Sequence, residues 1–519
     1  MNLIDIIFKN SRLYPNETAF VEVRPVTKVR KETSWWQFEE RVNKIANWLK
    51  DIGVRPGDRV LLFGRNSIHW LEVYFGVLET GAWIAPLNYR FTNEDIAYCG
   101  KISEPVVCFC DEEFAERVMM LRPSLPTIKK CLSIGEKAFD GMENMEGAIE
   151  GASWKSLALE LKDEEPCGLY FTSGTTGTPK PILLTHKNLF SSGATEVTNH
   201  LLNRADGLLM IPPLYHSAIG HLLGPMLVGA RSVLLTEAIT PQLIFETMSK
   251  EQLSVVFLLV PWTMDILGAL DRGELRLTDY DLTRWRLMHM GAQPIPAVLI
   301  QRWKAYFPEM QYDTCYGLTE GCGPGVVDLG IGNERKIGAI GKPSLMWDLR
   351  IVDERDEDVP QGEVGEIVVK GNGVMKEYYK NPELTAQTIR NGWLHTGDLG
   401  RMDEEGFVYI VDRKKDLVIS GGENIYPVEI EATLVKHPKV RDAAVIGAPD
   451  ERLGEVVTAV IEPREGEVLT KEEVASFCEG NLPRYKRPRT IIFDEIPRSP
   501  SGKIEKPKLR QKYGKPKSG

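Results

Sequence analysis

Tyr170–His186 reads YFTSGTTGTPKPILLTH, small hydroxyl residues and two glycines running up to a lysine between prolines. Gly174 and Gly177 let a backbone come close to a ligand. The amides and the hydroxyls of Thr172, Ser173, Thr175 and Thr176 are hydrogen-bond donors, and Lys180 adds positive charge. Such a loop suits phosphate oxygens. Its spacing is not the GxxxxGK[ST] pattern of P-loop kinases. On composition alone, a Gly/Thr surface turn is an equal reading.

Outward from this loop, short β-rich runs alternate with helical patterns: VLLFG from Val60, GLLMI from Gly207, SVLL from Ser232, SVVFLLV from Ser254 and WRLMHM from Trp285. Continuous apolar runs joined by helices predict a parallel sheet with crossover helices, an α/β fold. Between Ser34 and Asp51, Phe38, Val42, Ile45 and Leu49 recur at helical spacing, with Ser34 and Gln37 placed for a capping box. After about Asp412 the pattern changes. The stretch DRKKD leads into SGGENIYP, with Pro427 in the first turn of a helix Val428–Lys436. Strand-like VRDAAVI and EVVTAVI follow, then a helix opening at Thr470 with a second capping box. The sequence therefore predicts a large N-terminal domain over 1–412, rich in parallel strands, and a small α+β domain over 413–519.

The 519 residues are 43% apolar, enough for more than one core, and their net charge of −10 offers no basic surface for nucleic acid. Eight scattered cysteines lack metal-ligand spacing, and Cys108 and Cys110 share one strand face, which fits a reducing cytoplasm. MNLIDIIFKN carries an Asp inside its apolar run and reads as a first amphipathic helix. No run has the length of a membrane span, which leaves peripheral membrane contact open. Oligomeric state is not legible here.

YFTSGTTGTPK resembles the phosphate loop of the adenylate-forming superfamily of acyl-CoA synthetases, adenylation domains and firefly-type luciferases, with Pro181 where that family usually has Gly. Further blocks resemble the same family in the same order: GAQPIP from Gly291, YDTCYGLTEG, HTGDLG, VDRKKD and PRSPSGKIEK. The resemblance implies roles that no residue reveals alone. ATP or AMP is held by Thr172, Ser173, Gly174, Thr175, Thr176, Gly177 and Lys180, by Gly291 and Ala292 at the adenine, and by Tyr316 stacked on it with Gly317. Thr319 touches the α-phosphate, and Asp398 and Arg413 reach the ribose. Glu320, with Thr172, holds Mg²⁺, a hard oxygen set for a hard ion. Lys503 is the implied catalytic lysine and Lys415 the hinge of a mobile C-terminal domain.

The same resemblance implies that coenzyme A is a co-substrate, near Arg90, Gly421, Gly422, Arg484 and Lys486, with Leu453 where many relatives carry Trp. His216 matches a histidine beside the acyl tunnel, where it gates access or orients the carboxylate. Ile219, Gly220, Trp262, Met290, Gly291 and Leu318 are the candidate acyl-lining residues. They are apolar, so a hydrophobic carboxylic acid is expected, aromatic, alicyclic or fatty. An acid–CoA ligase is the first reading and a stand-alone enzyme loading a carrier-protein phosphopantetheine the second. A silent nucleotide-binding scaffold is third, and the presence of Lys503, Glu320 and Asp398 speaks against it.

Overall fold

The computed structural model describes residues 1–135, 137, 139–173, 179–216, 219–291, 295, 297–323, 325–498 and 504–514. The chain divides into two units, the first made of Met1–Gly291, Ala297–Asp348 and Val369–Leu394, the second chiefly of Leu349–Val368 and His395–Gly519.

In the first unit a nine-stranded sheet runs in the order Lys342–Pro343, Val327–Asp328, Gln311–Tyr316, Leu287–Gly291, Val255–Leu259, Gly207–Met210, Arg231–Leu235, Thr18–Arg24 and Val29–Ser34. The strands from Gln311–Tyr316 to Thr18–Arg24 are parallel and the outermost ones antiparallel. Helices return the chain between parallel neighbours, so both faces are covered, and Val255, Val256, Leu258, Leu287, Met288 and Met290 are buried as their unbroken apolar runs predict. The expected strand from Ser254 stops at Leu259, because Pro261 starts a helix, Val260–Asp271.

The eight-stranded sheet of the same unit runs Glu377–Tyr378, Pro179–Thr185, Pro166–Ser173, Trp83–Leu87, Arg59–Phe63, Val107–Asp111, Lys130–Ile134 and Glu143–Asn144. Its interior is apolar: Leu61, Phe63, Ala85, Leu87, Cys108, Cys110 and Leu169 pack in one cluster. All eight cysteines are free and buried. Helix Trp35–Asp51 has the expected Ser34–Gln37 capping box and buries Phe38, Val42, Ile45 and Leu49. Helix Leu3–Leu13 covers the N-terminal amphipathic run. Among the described residues no helix is long and apolar enough to cross a membrane.

The second unit includes a largely antiparallel five-stranded sheet in the order Glu423–Ile425, Val418–Ser420, Gly454–Pro463 and Val440–Asp450, with Thr490–Phe493 parallel beside Gly454–Pro463. Helices Pro427–Leu434 and Lys471–Asn481 bury Ile430, Leu434, Val474 and Cys478 against it. This is the expected α+β grammar, with Pro427 at a helix start and Thr470 and Glu473 in a capping box. The first helix ends at Leu434 rather than Lys436, since Pro438 disfavours helical backbone just before it.

Candidate active site

The opening stretch folds as a hairpin between Pro166–Ser173 and Pro179–Thr185, followed by helix His186–Asn199, which Thr185 caps in a box with Asn188. Gly174, Thr175, Thr176 and Gly177 lie outside the described residues, as do Ala292, Lys503 and the side chain of Ser173. Thr172 and Lys180 are directly opposite across the ladder, so their side chains share one face where the loop begins and ends. Pro181 fits this strand without loss to the hairpin. Its carbonyl accepts from Tyr379 N at 2.9 Å. In an antiparallel strand a residue's N–H points the same way as its C=O, so the missing donor faces away from Pro166–Ser173.

Lys180 Nζ lies 5.3 Å from the ring centroid of Tyr378, and the Tyr378 hydroxyl donates to Glu320 Oε1 at 2.8 Å. Burial, with the Glu320 charge next, raises the Tyr378 phenol, which keeps it a donor. A candidate phosphate-binding cation and a carboxylate from a separate block are thus held by one tyrosine. Tyr378 escaped sequence reasoning because a tyrosine in KEYYKNPE carries no spacing signal. Glu320 sits in the turn Thr319–Gly321 after strand Gln311–Tyr316, and its backbone carbonyl accepts from Met375 N at 2.8 Å. Tyr316 is buried at the strand end, and Gly317, Leu318 and Thr319 are half-buried after it. The turn folds back closely: a Cβ on Gly323 would stand 2.8 Å from the Cα of Gly317.

Ile219 and Gly220 open the buried helix Ile219–Val228, and Met290 and Gly291 end strand Leu287–Gly291. Trp262 is half-buried in the first turn of Val260–Asp271. His216 is half-buried, its ring 4.4 Å from that of Tyr215. Arg90 is exposed, with its guanidinium 5.6 Å from the Tyr89 ring.

Beside these apolar positions lies a buried polar cluster that the sequence did not announce. His200 stands between two carboxylates, with Nε2 2.8 Å from Asp313 Oδ2 and Nδ1 3.1 Å from Glu196 Oε2. His221 Nδ1 is 3.0 Å from Glu196 Oε1, and the His289 ring is 4.2 Å from that of His200. Burial disfavours the charged imidazole of His200, but Glu196 and Asp313 outweigh it and hold its pKa raised. Burial, with His200 next, pushes His289 down, so it is neutral. The available signal was a histidine inside the apolar strand run WRLMHM.

In the second unit, Asp398 and Arg413 are register partners in the pair of strands Trp393–Met402 and Val408–Arg413, with Nε 3.2 Å from Oδ1. Lys415 is exposed at its turn, yet surrounding protein and the Arg413 charge draw its ammonium down to about 8. Gly421 and Gly422 take φ of +60° and +87°, and Gly421 N donates to Leu453 O at 2.9 Å. Leu453 packs against this turn, and a Cβ on Gly421 would be 3.2 Å from its Cδ2. Lys486 Nζ is 2.6 Å from Glu429 Oε2, and Arg484 is exposed in the same short turn.

Residues 7–379 match the family model described as AMP-binding enzyme, and residues 429–503 match the AMP-binding enzyme C-terminal domain. A feruloyl-CoA synthase of an Amycolatopsis species is 34% identical over 510 residues, 98% of each chain. A long-chain-fatty-acid–CoA ligase of Mycobacterium tuberculosis is 31% identical over 96% of each. Among solved structures, an anthranilate CoA ligase in complex with anthranoyl-AMP superposes with a TM-score of 0.89 at 27% identity, covering 99% of this chain and 97% of that one.

Proposed function

The chain belongs to the family of AMP-binding enzymes and is an AMP-forming acid–thiol ligase, and from that premise we propose that it couples a hydrophobic carboxylic acid, aromatic, alicyclic or fatty, to coenzyme A. In the first step a carboxylate oxygen of the acid attacks the α-phosphorus of ATP and pyrophosphate leaves. In the second, the coenzyme A sulfur attacks the acyl carbon, its thiol proton goes to solvent and AMP leaves. An anion must approach a polyanion, so the barrier to remove is repulsion where charge builds on the phosphoryl oxygens.

The observation that carries this reading is the chain Lys180–Tyr378–Glu320, rooted on the Thr172–Lys180 rung of the phosphate-loop hairpin. It fixes a cation and a carboxylate relative to the Thr172–Lys180 rung before any substrate binds. Glu320 is half-buried, and among the described residues the Tyr378 hydroxyl is a partner to Oε1 only, a hard-oxygen setting that fits magnesium. Glu320 and the Thr172 hydroxyl would hold magnesium, whose charge would help neutralise the phosphates. Asp398 accepts from the ribose hydroxyls while Arg413 donates to their oxygens. Lys503 brings further charge to the α-phosphate, and Lys415 is the pivot about which residues 413–519 turn between the two steps. The positive φ of Gly421 and Gly422 leaves bare backbone suited to a narrow pantetheine arm.

A panel of aromatic, alicyclic and fatty acids with ATP, Mg²⁺ and coenzyme A tests this, read as AMP release and thioester mass. At least one acid is expected to give equimolar AMP and thioester. AMP release with none of them overturns the proposal, and acyl-adenylate without thioester moves the acceptor from coenzyme A to a carrier protein.

A further inference from the structure

The buried polar cluster adjoins candidate acyl positions in the chain. His221 follows Gly220, and His289 precedes Met290. Strand alternation puts His289 and Gly291 on the same face. The ladder register aligns Phe257 and Asp313 with His289, a row across three parallel strands. Gly291 lies two residues nearer the strand ends, so this row is about 7 Å deeper at about 3.3 Å per residue. That is close to the reach of one aromatic ring with a small substituent. Phe257 links the two levels: a Cβ on Gly291 would be 3.5 Å from its Cε2, and its ring stacks on His221 at 4.1 Å.

Most of the cluster's polar atoms are engaged with one another. His200 bridges Glu196 and Asp313, Asp313 Oδ1 accepts from Gly330 N at 2.8 Å, and Asp328 Oδ2 accepts from Ser344 Oγ at 2.7 Å. His289 Nε2 differs. The residue is 1% exposed, and this nitrogen has no hydrogen-bond partner among the described residues. A buried polar atom left open is costly and calls for a partner, a water, an ion or a ligand's polar atom. The ring is held edge-on to Phe257 with centroids 5.0 Å apart, and to His200, so its orientation is fixed from two sides.

We propose that His289, backed by His221 and Glu196, hydrogen-bonds a polar atom at the far end of the acyl group. The favoured substrates are then aryl-sized carboxylic acids bearing a hydroxyl, carbonyl or ring N–H at that end, rather than plain alkyl or phenyl acids. This rests on the acid–coenzyme A reading above and narrows its substrate class. It would add a polar end to the apolar lining expected from Ile219, Gly220, Met290 and Gly291, since Phe257 and His289 share the face of Gly291 and His221 follows Gly220. The physical basis is asymmetric. A site built to pair a polar group rejects the analogue lacking it far more strongly than an apolar pocket discriminates one methylene.

The test compares kcat/KM of the full chain for 3-(4-hydroxyphenyl)propenoate, 3-phenylpropenoate and octanoate, with ATP, Mg²⁺ and coenzyme A, by AMP release. The hydroxylated acid is expected to be preferred by at least about tenfold. His289→Leu should collapse that ratio towards one, and His289→Gln, which keeps a polar end, should retain part of it. Equal use of the phenyl and hydroxyphenyl acids by the unmodified chain overturns the proposal, whether or not the variants fold. So does an unchanged ratio in folded His289→Leu. A stoichiometric divalent metal in the purified protein that His289→Leu removes also overturns it, by assigning the nitrogen to that metal. Thioester formation without this preference sinks the inference alone, whereas no AMP from any acid sinks the functional reading beneath it.

Discussion

The two large sheets of the first unit are built alike, from parallel strands with helical crossovers, yet their interiors differ in kind. Around Leu61, Phe63, Ala85, Cys108, Cys110 and Leu169 the interior is apolar, and burial pushes the Cys108 thiol up into inertness. Beside Leu287–Gly291 it holds Glu196, His200, His221, His289, Asp313 and Asp328, all nearly inaccessible. The first interior steadies the strand Pro166–Ser173 that runs into the candidate phosphate loop, since Leu169 and Phe171 belong to its cluster. The second lies beside the candidate acyl positions. Burying an ion costs several kcal/mol unless a partner compensates, so a polar interior persists only where its charges are paired.

The comparison breaks most sharply at Glu196. Its pKa is held well below the usual range: burial opposes this, but the charges of His221 and His200 prevail. Glu196→Ala should strand the buried His200 charge and cost about 3–5 kcal/mol in urea unfolding. The pH dependence has two limbs. Glu196, depressed, stabilises the fold above its ordinary 4.5, and that contribution fades as pH falls through its folded value. His200, raised, stabilises it below 6.5, and that contribution fades as pH rises through its folded value. A loss under about 1 kcal/mol, with both limbs unchanged, would mean that the cluster is neutral and the contrast false.

Glu79 supplies a smaller, opposite case, a buried carboxyl with no cation. Oε1 accepts from Leu157 N at 2.9 Å and Oε2 has no partner among the described residues. Burial pushes it up to about 7 from an ordinary 4.5. The folded chain therefore binds the extra proton between those values, and stability falls as pH rises from about 4.5 through about 7. Glu79→Gln should flatten that slope, gaining up to about 3 kcal/mol relative to the parent at pH 8. Parallel stability–pH curves for the two proteins would show that Glu79 is ionised and compensated after all.

What the sequence disclosed follows the range of the forces involved. Capping boxes at Ser34 and Thr470 and the apolar runs of Val255–Leu259 and Leu287–Gly291 depend on neighbours a few residues away, and they are present as expected. Strand order was not legible: Gly207–Met210 lies between Val255–Leu259 and Arg231–Leu235, a placement decided by packing of whole helices. The site divides the same way. Motif blocks pointed to Glu320 and Lys180, but the tyrosine joining them comes from the two-residue strand Glu377–Tyr378, and His200 meets Asp313 across 113 residues. Such pairings leave no periodic trace in a single chain.

The smallest test works from the apolar side. Cys110 is fully buried, and its thiol meets the soft Sδ of Met142 at 3.9 Å, a contact that suits a thiol. Cys110→Ser changes one atom and places a stronger donor beside a weak sulfur acceptor. It should cost about 1–2 kcal/mol, in the range for an uncompensated buried hydroxyl. Cys110→Ala removes the polar atom and serves as the control for lost volume. If the serine variant proves no worse than the alanine one, the hydroxyl has found a partner and this interior tolerates polarity as the other does. If the serine variant is clearly worse, the apolar interior excludes the polarity that its neighbour accommodates.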